Sequence, residues 1–276
     1  MAVIHGFIIP HRKTINMKPL FTTTLLFLIA CNNAEKKDSV LVPGAYSMLS
    51  QSIKTSTTDT TYRSLKQLKI YTGEYMMYAN FNPQDSVSSF GIGSYSADKD
   101  TVTENIIYNA SDSLKNDSTI RFKLIISKTD SGYKQIIPDM QAMSQKITLT
   151  EEYKTVGTGT QTPLDGVWKE SKTFYVKGKD TTKYNTTQFK AYYGNHFIWG
   201  HTYSDSAKRN HTGIGFGKFE MMGTNKLKES VSASSYYQDR GHDIDIDLEM
   251  NGNDEFKQTI SYQNGGKAIE IYQRLK

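Results

Sequence analysis

The chain says nearly the same thing twice. Gln67-Leu-Lys-Ile-Tyr-Thr-Gly73-Glu-Tyr-Met-Met-Tyr78 returns as Gln188-Phe-Lys-Ala-Tyr-Tyr-Gly194-Asn-His-Phe-Ile-Trp199, 121 residues later. Gly44-Ala-Tyr46 returns as Gly166-Val-Trp168, and Gly91-Ile-Gly93 as Gly215-Phe-Gly217. Tyr133-Lys-Gln135 is answered by Phe256-Lys-Gln258, and Glu151-Glu-Tyr153 by Glu270-Ile-Tyr272. The offsets stay between 119 and 125, so the two copies differ by small insertions only. Any fold assigned to one copy must also serve the other.

Each copy is read as strands. In His242-Asp-Ile-Asp-Ile-Asp-Leu-Glu-Met250, Ile244, Ile246, Leu248 and Met250 share one face, and the acidic residues share the other. That is the pattern of a half-buried antiparallel strand. Asn251-Gly-Asn-Asp254 reads as a hairpin turn. The same reading gives eight strands per copy, near 44–54, 65–72, 74–81, 89–96, 100–110, 119–127, 132–138 and 145–154. In the second copy they fall near 166–176, 186–193, 196–203, 213–221, 226–236, 242–250, 255–262 and 267–275. Short connections predict an up-and-down meander, and closure into a barrel removes its exposed edges. The fold class is therefore all-β: two tandem antiparallel eight-stranded barrels. Each copy is large enough for its own core, so 43–156 and 163–276 are expected to fold alone. Gly/Thr-rich residues 157–162 read as the linker.

Ahead of the copies, Leu20 to Ala30 carries no charge and is mostly apolar, with Arg12, Lys13 and Lys18 before it and no acidic residue before Glu35. That asymmetry marks an export leader, and the run is too short to cross a bilayer. Leu28-Ile-Ala-Cys31 resembles the lipobox of bacterial lipoproteins. The resemblance implies lipidation and cleavage at Cys31, the one cysteine of the chain. Residues 1–31 are then a signal peptide and 32–42 a flexible tether. The location implied by the resemblance is the bacterial cell envelope, at the outer membrane, with the N-terminal lipid as the contact to the membrane. The net charge of +5 includes three leader cations, leaving about +2 on the mature chain. Nothing in that balance points to nucleic acid.

Gly166-Val-Trp168 opens the second copy and Arg274 lies near its end. This resembles the lipocalin pattern, in which a first-strand tryptophan is covered by an arginine from the closing segment. The resemblance extends to compact lipocalin-like (calycin-type) domains of bacterial lipoproteins and implies a barrel-base plug made by Trp168 and Arg274. The first copy departs from it, with Tyr46 for the tryptophan and Thr155 where Arg274 aligns.

Alternation also points polar residues into the barrels. Glu104 shares a face with Val102, Ile106 and Tyr108, and Glu229 with Leu227, Val231 and Ala233. Gln135, Glu151 and Tyr153 in one copy, and Gln258, Glu270, Tyr272 and Arg274 in the other, fall on inward faces. A buried carboxylate must be paired, hydrogen-bonded or protonated. Three readings follow: an internal network in which Arg274 neutralises one carboxylate, a polar pocket for a small ligand, or a carboxylate pair doing acid–base chemistry. No nucleophile elbow, His-Glu-x-x-His or phosphate loop occurs, so a non-enzymatic binding module is expected, with no cofactor and no metal. The alternative is an interaction lipoprotein with filled barrels that works through its outer surface.

Overall fold

A computed structural model describes residues 39–84, 86–110, 120–142, 145–159 and 161–276. The leader, Cys31 and the first part of the tether lie outside these residues. The first copy contains β1 (Gly44–Lys54), β2 (Asp59–Tyr62), β3 (Lys66–Tyr71), β4 (Tyr75–Phe81), β5 (Ser88–Asp98), β6 (Thr101–Asn109), β7 (Ile120–Lys128), β8 (Gly132–Ala142) and β9 (Gln145–Gly157). The second contains β10 (Gly166–Lys177), β11 (Asp180–Tyr184), β12 (Thr187–Tyr193), β13 (His196–Ser204), β14 (Asn210–Met221), β15 (Lys226–Ser234), β16 (Asp243–Asn251), β17 (Glu255–Ser261) and β18 (Lys267–Arg274).

Each copy is a closed antiparallel barrel of eight strands, as expected from the sequence. In the first, β1 and β3 to β9 pair in chain order, and β1 with β9 completes the ring; β10 and β18 do the same in the second. The ninth strand of each copy was not expected. The first half of β1 pairs with β3, and its second half pairs with β2 instead. β10 divides between β12 and β11 in the same way. β2 and β11 are exposed along their whole length, so neither carries the apolar alternation that marks the other strands. They are held by one ladder edge alone.

The two ends of each barrel differ: an aromatic residue at the start of the first strand plugs one, the closed end, and the opposite end, called open for its lack of such a plug among the described residues, has the first-strand hairpin. β1 starts beside the end of β3 and of β9, with Gly44 opposite Tyr71 and Ala45 opposite Gly157. There Tyr46 packs edge-on against Tyr133, with ring centroids 4.9 Å apart, and its hydroxyl donates to the Val42 carbonyl at 2.7 Å. The second copy repeats this, with Trp168 edge-on to Phe256 at 4.8 Å and its indole N–H donating to the Leu164 carbonyl at 2.7 Å. At the opposite end lie the β1–β2 and β10–β11 hairpins.

Three apolar cores result. One fills the first barrel around Tyr46, Tyr71, Val102, Leu124 and Tyr153, and one fills the second around Trp168, Phe197, Leu227, Leu248 and Phe256. The third lies between the barrels. Leu68, Ile70, Met77, Phe81, Phe90 and Ile92 of the first meet Phe189, Ile198, Ile214 and Phe216 of the second. Most of β3, β4 and β12, and the buried stretches 90–93 of β5, 196–200 of β13 and 213–217 of β14, are therefore covered on both faces. Gly200 shows how close the sheets come: a Cβ there would lie 2.5 Å from the ring of Phe90. The expectation that each copy folds alone does not account for this shared core, which severing the copies would expose to water.

Candidate functional site

The inward polar residues form the same network in both barrels. In the first, the Lys69 ammonium lies 2.7 Å from Glu104, and both side chains are 4% exposed. The Tyr71 hydroxyl donates to the same carboxylate. Glu151 accepts from Gln135 at 2.6 Å, from Tyr153 at 2.8 Å and from Gln51 at 2.8 Å. In the second, Lys190 lies 2.8 Å from Glu229 and donates to Gln258 at 3.0 Å, and Tyr192 donates to Glu229 at 2.6 Å. Glu270 accepts from Gln258 at 2.7 Å, from Tyr272 at 2.5 Å and from Gln188 at 3.1 Å. Burial holds the Tyr71, Tyr153, Tyr192 and Tyr272 hydroxyls well above their usual pKa, so each stays a donor. Each barrel thus contains one ion pair and one carboxylate held by neutral donors.

Eight of the residues read from the sequence meet here: Glu104, Gln135, Glu151, Tyr153, Glu229, Gln258, Glu270 and Tyr272. Arg274 does not join them. Its guanidinium lies 4.0 Å from the Trp168 ring and donates to the carbonyls of Pro163 (2.8 Å), Asn253 (2.7 Å) and Asp165. It closes the barrel base, and the carboxylate it was expected to neutralise is paired by Lys190 instead. Trp168 and Arg274 are cross-strand partners, as Tyr46 and Thr155 are in the first barrel. Tyr108 also departs from its expected face. A bulge near Ile107 turns it toward the seam, where it stacks on Phe90 with centroids 5.5 Å apart.

The two lysines were missed by the sequence reading, and a signal for them existed. Gln67, Lys69 and Tyr71 alternate along one face of β3, and Gln188, Lys190 and Tyr192 do so on β12. Leu68 and Ile70 lie on the other face, which meets the partner barrel.

One network atom lacks a partner. The Tyr133 hydroxyl is buried with no hydrogen bond, and the second copy has Phe256 at that place. A buried unpaired hydroxyl costs about 1–3 kcal/mol. Tyr133→Phe is therefore expected to leave stability unchanged or raise it by about 1 kcal/mol. Denaturant unfolding checks this, and a loss above that size would show a hydroxyl partner, such as ordered water.

The barrels differ toward their open ends. In the first, Met48 lies opposite Tyr153 and Gln51 opposite Glu151. In the second, Glu170 and Thr173 take those places, opposite Tyr272 and Glu270. Glu151 and Glu270 each accept three hydrogen bonds, the third from Gln51 in the first barrel and from Gln188 in the second, and Glu270 also has the Glu170 carboxylate nearby. Glu170 accepts from Thr173 and Thr186. Burial pushes its pKa up to about 7; the Thr186 hydrogen bond opposes the rise and the nearby Glu270 adds to it. Beyond the carboxylates stand Tyr175 and Tyr262, with centroids 6.2 Å apart. His201 completes this end. Burial lowers its pKa to about 4, so it is neutral at pH 7. Gln188 donates to Glu270, so its oxygen is left to accept from His201 Nδ1–H at 3.1 Å. Nε2 then accepts from the Tyr236 hydroxyl at 2.7 Å. The carboxylate fixes the direction of the whole chain of hydrogen bonds.

The raised pKa of Glu170 has a testable sign. A group with a folded pKa above its unfolded value contributes stability fully below the unfolded value and loses it as pH rises through the folded one. Glu170→Gln is expected to match the natural protein in Tm near pH 4, below the unfolded value of 4.5, and exceed it at pH 8. An equal Tm difference at both values would show that Glu170 does not titrate in that window.

Among the described residues, no three His, Cys, Asp or Glu side chains are grouped as metal ligands, and no helix is long and apolar enough to cross a membrane. No family model matches the chain, and no curated protein matches it. Among solved structures, the chain is similar to a protein of unknown function from the DUF3598 family of Nostoc punctiforme PCC 73102. Identity is 10%, covering 84% of this chain and 96% of that one, with a TM-score of 0.26. It is also similar to a mutant of the vaccine antigen transferrin binding protein B from Haemophilus parasuis Hp5. Identity is 8%, covering 86% of this chain and 77% of that one, with a TM-score of 0.25. Likenesses this remote add nothing to the strand pairing described above.

Proposed function

We propose that this chain is a lipid-anchored protein of the bacterial cell envelope that binds a small molecule without transforming it, at the open end of the second barrel. The anchor is Cys31, held by the leader pattern and Leu28-Ile-Ala-Cys31. The observation that carries the binding reading is the exchange of Met48 and Gln51 for Glu170 and Thr173. It brings a second half-buried carboxylate, Glu170, near Glu270 at the end where Tyr175 and Tyr262 stand, while the lysine of the network is committed to Glu229. A ligand with an ammonium group suits that setting: it offsets the carboxylates and lies against aromatic faces. The lipocalin-like pattern supports the same reading, since the Trp168–Arg274 contact closes the base and a ligand would enter from the other end.

Native mass spectrometry of the protein purified from its host, beside Glu170→Gln, tests the binding. A bound small molecule present in the natural protein and lost from the variant supports it. Absence of any such molecule, together with no Tm shift in either protein with alkylammonium salts, would favour an interaction role through the outer surface. Labelling with a clickable fatty acid tests the anchor, with Cys31→Ala expected to remain unlabelled.

A further inference from the structure

The two barrels meet with an approximate two-fold correspondence. The end of β18 crosses the β3–β4 turn, where the Tyr75 hydroxyl donates to the carbonyl of Lys276. The end of β9 crosses the β12–β13 turn, where Gly157 meets Gly194 and His196. Lys276 and Gly157 are equivalent positions of the repeat, as are Tyr75 and His196. At the second crossing the backbones come together because neither glycine has a side chain. A Cβ on Gly157 would lie 2.3 Å from the Gly194 carbonyl oxygen, and Gly194 has φ +55°.

The first crossing is bridged by tyrosine. The second holds a cleft of about 360 Å³ lined by Thr155, Thr158, Asn195, His196 and Lys218, with backbone from the two glycines. That volume suits a small organic ligand. Its chemistry is one-sided. Among the described residues, Lys218 and His196 are its only titratable lining groups, and no carboxylate lines it. The equivalents of Asn195 and Lys218 in the first copy are Glu74 and Ser94. The second copy has lost an acid and gained a base at this place. Lys218 is exposed and has no ion pair within 4.0 Å among the described residues. His196 is 8% exposed and directs Nδ1–H to the Gly194 carbonyl at 2.9 Å, which leaves Nε2 uncommitted by that bond.

We infer that this seam cleft is a binding site for a small oxyanion, a carboxylate or phosphate group carried by a small molecule. Lys218 supplies the charge, Thr155, Thr158 and Asn195 supply neutral donors, and His196 supplies a second cation when protonated. The site lies at the closed ends of the barrels and does not depend on the binding proposed at the open end. Burial, with Lys218 nearby, lowers the His196 pKa; a bound anion reverses the second effect and raises it.

The test is NMR of the full chain labelled with 13C-histidine, titrated with inorganic phosphate and, separately, with citrate. His196 is assigned from its lost signal in His196→Gln. Chloride at matched ionic strength is the control, and Lys218→Ser and Asn195→Glu restore the residues of the first copy. An upward shift of the His196 pKa with one of the two anions and not with chloride is expected. Affinity should fall about tenfold in Lys218→Ser, the loss expected for a hydrogen bond to a charged group. Lys218 is exposed, so this variant keeps its fold. Which anion acts separates a phosphate from a carboxylate ligand. Unmoved His196 signals with both anions, or equal affinity in Lys218→Ser, would overturn the assignment.

Discussion

Lys190→Met is expected to destabilise the second barrel by about 3–5 kcal/mol, the cost of leaving a buried charge without its partner. Lys190 and Glu229 are 3% and 2% exposed, so water cannot take over the pairing. Tyr192 still donates to Glu229 in the variant, but a neutral donor does not cancel a full charge. The double variant Lys190→Met, Glu229→Gln removes both charges and should recover much of the loss, because buried ion pairs are often replaced at little net cost. Trp168 and Trp199 are the only tryptophans and both lie in the second barrel, so their fluorescence during urea unfolding reports on it directly. A loss below about 1 kcal/mol, the range of exposed pairs, would mean that the pair is hydrated.

The second large effect concerns the shared core. Residues 163–276 expressed without the first copy are expected to self-associate or precipitate. The same is expected of the first copy alone, and the two expressed together should purify as a one-to-one complex. The reason is the face containing Phe189, Ile198, Ile214 and Phe216, which is buried only against the other barrel. Fully burying one such side chain is worth about 1.5–3 kcal/mol, and several are exposed at once by separation. Sedimentation and size-exclusion chromatography read the result. Two stable monomeric halves would show that the seam contributes little.

The sequence carried the barrels through its repeat and through alternation such as that of β16, where one face meets water. It was silent on β2 and β11, which pair by an edge and bury nothing. β3 and β12 lie where strands were expected, but their alternation does not reveal that both faces are buried. Gln67-Leu-Lys-Ile-Tyr71 contains an ion-pair lysine facing in and two aliphatics facing the other barrel, and no single-strand pattern distinguishes that from a strand with one wet face. The inward glutamates and glutamines were legible because they interrupt apolar faces. Arg274 lies over Trp168 and not beside a carboxylate, since strand register is easier to read from sequence than the reach of a long side chain. The Glu170–Glu270 meeting was not legible. It depends on a bulge between Glu170 and Lys172 that shifts which residues of β10 face inward.

The chain enters the first barrel beside Gly44, leaves it at Gly157, enters the second beside Gly166 and ends after Arg274, and all four points lie at the closed ends. The meeting of Ser88 with Thr212 and of Tyr108 with Thr202 places the two opposite ends side by side as well. The barrels thus stand in parallel, like two cups on one tray. The described chain begins on the tray side, where the Val40 N–H donates to the Lys99 carbonyl at 3.0 Å. An anchor at Cys31, as proposed above, would hold the cups by their bases and leave Glu170, Tyr175 and Tyr262 at the far end.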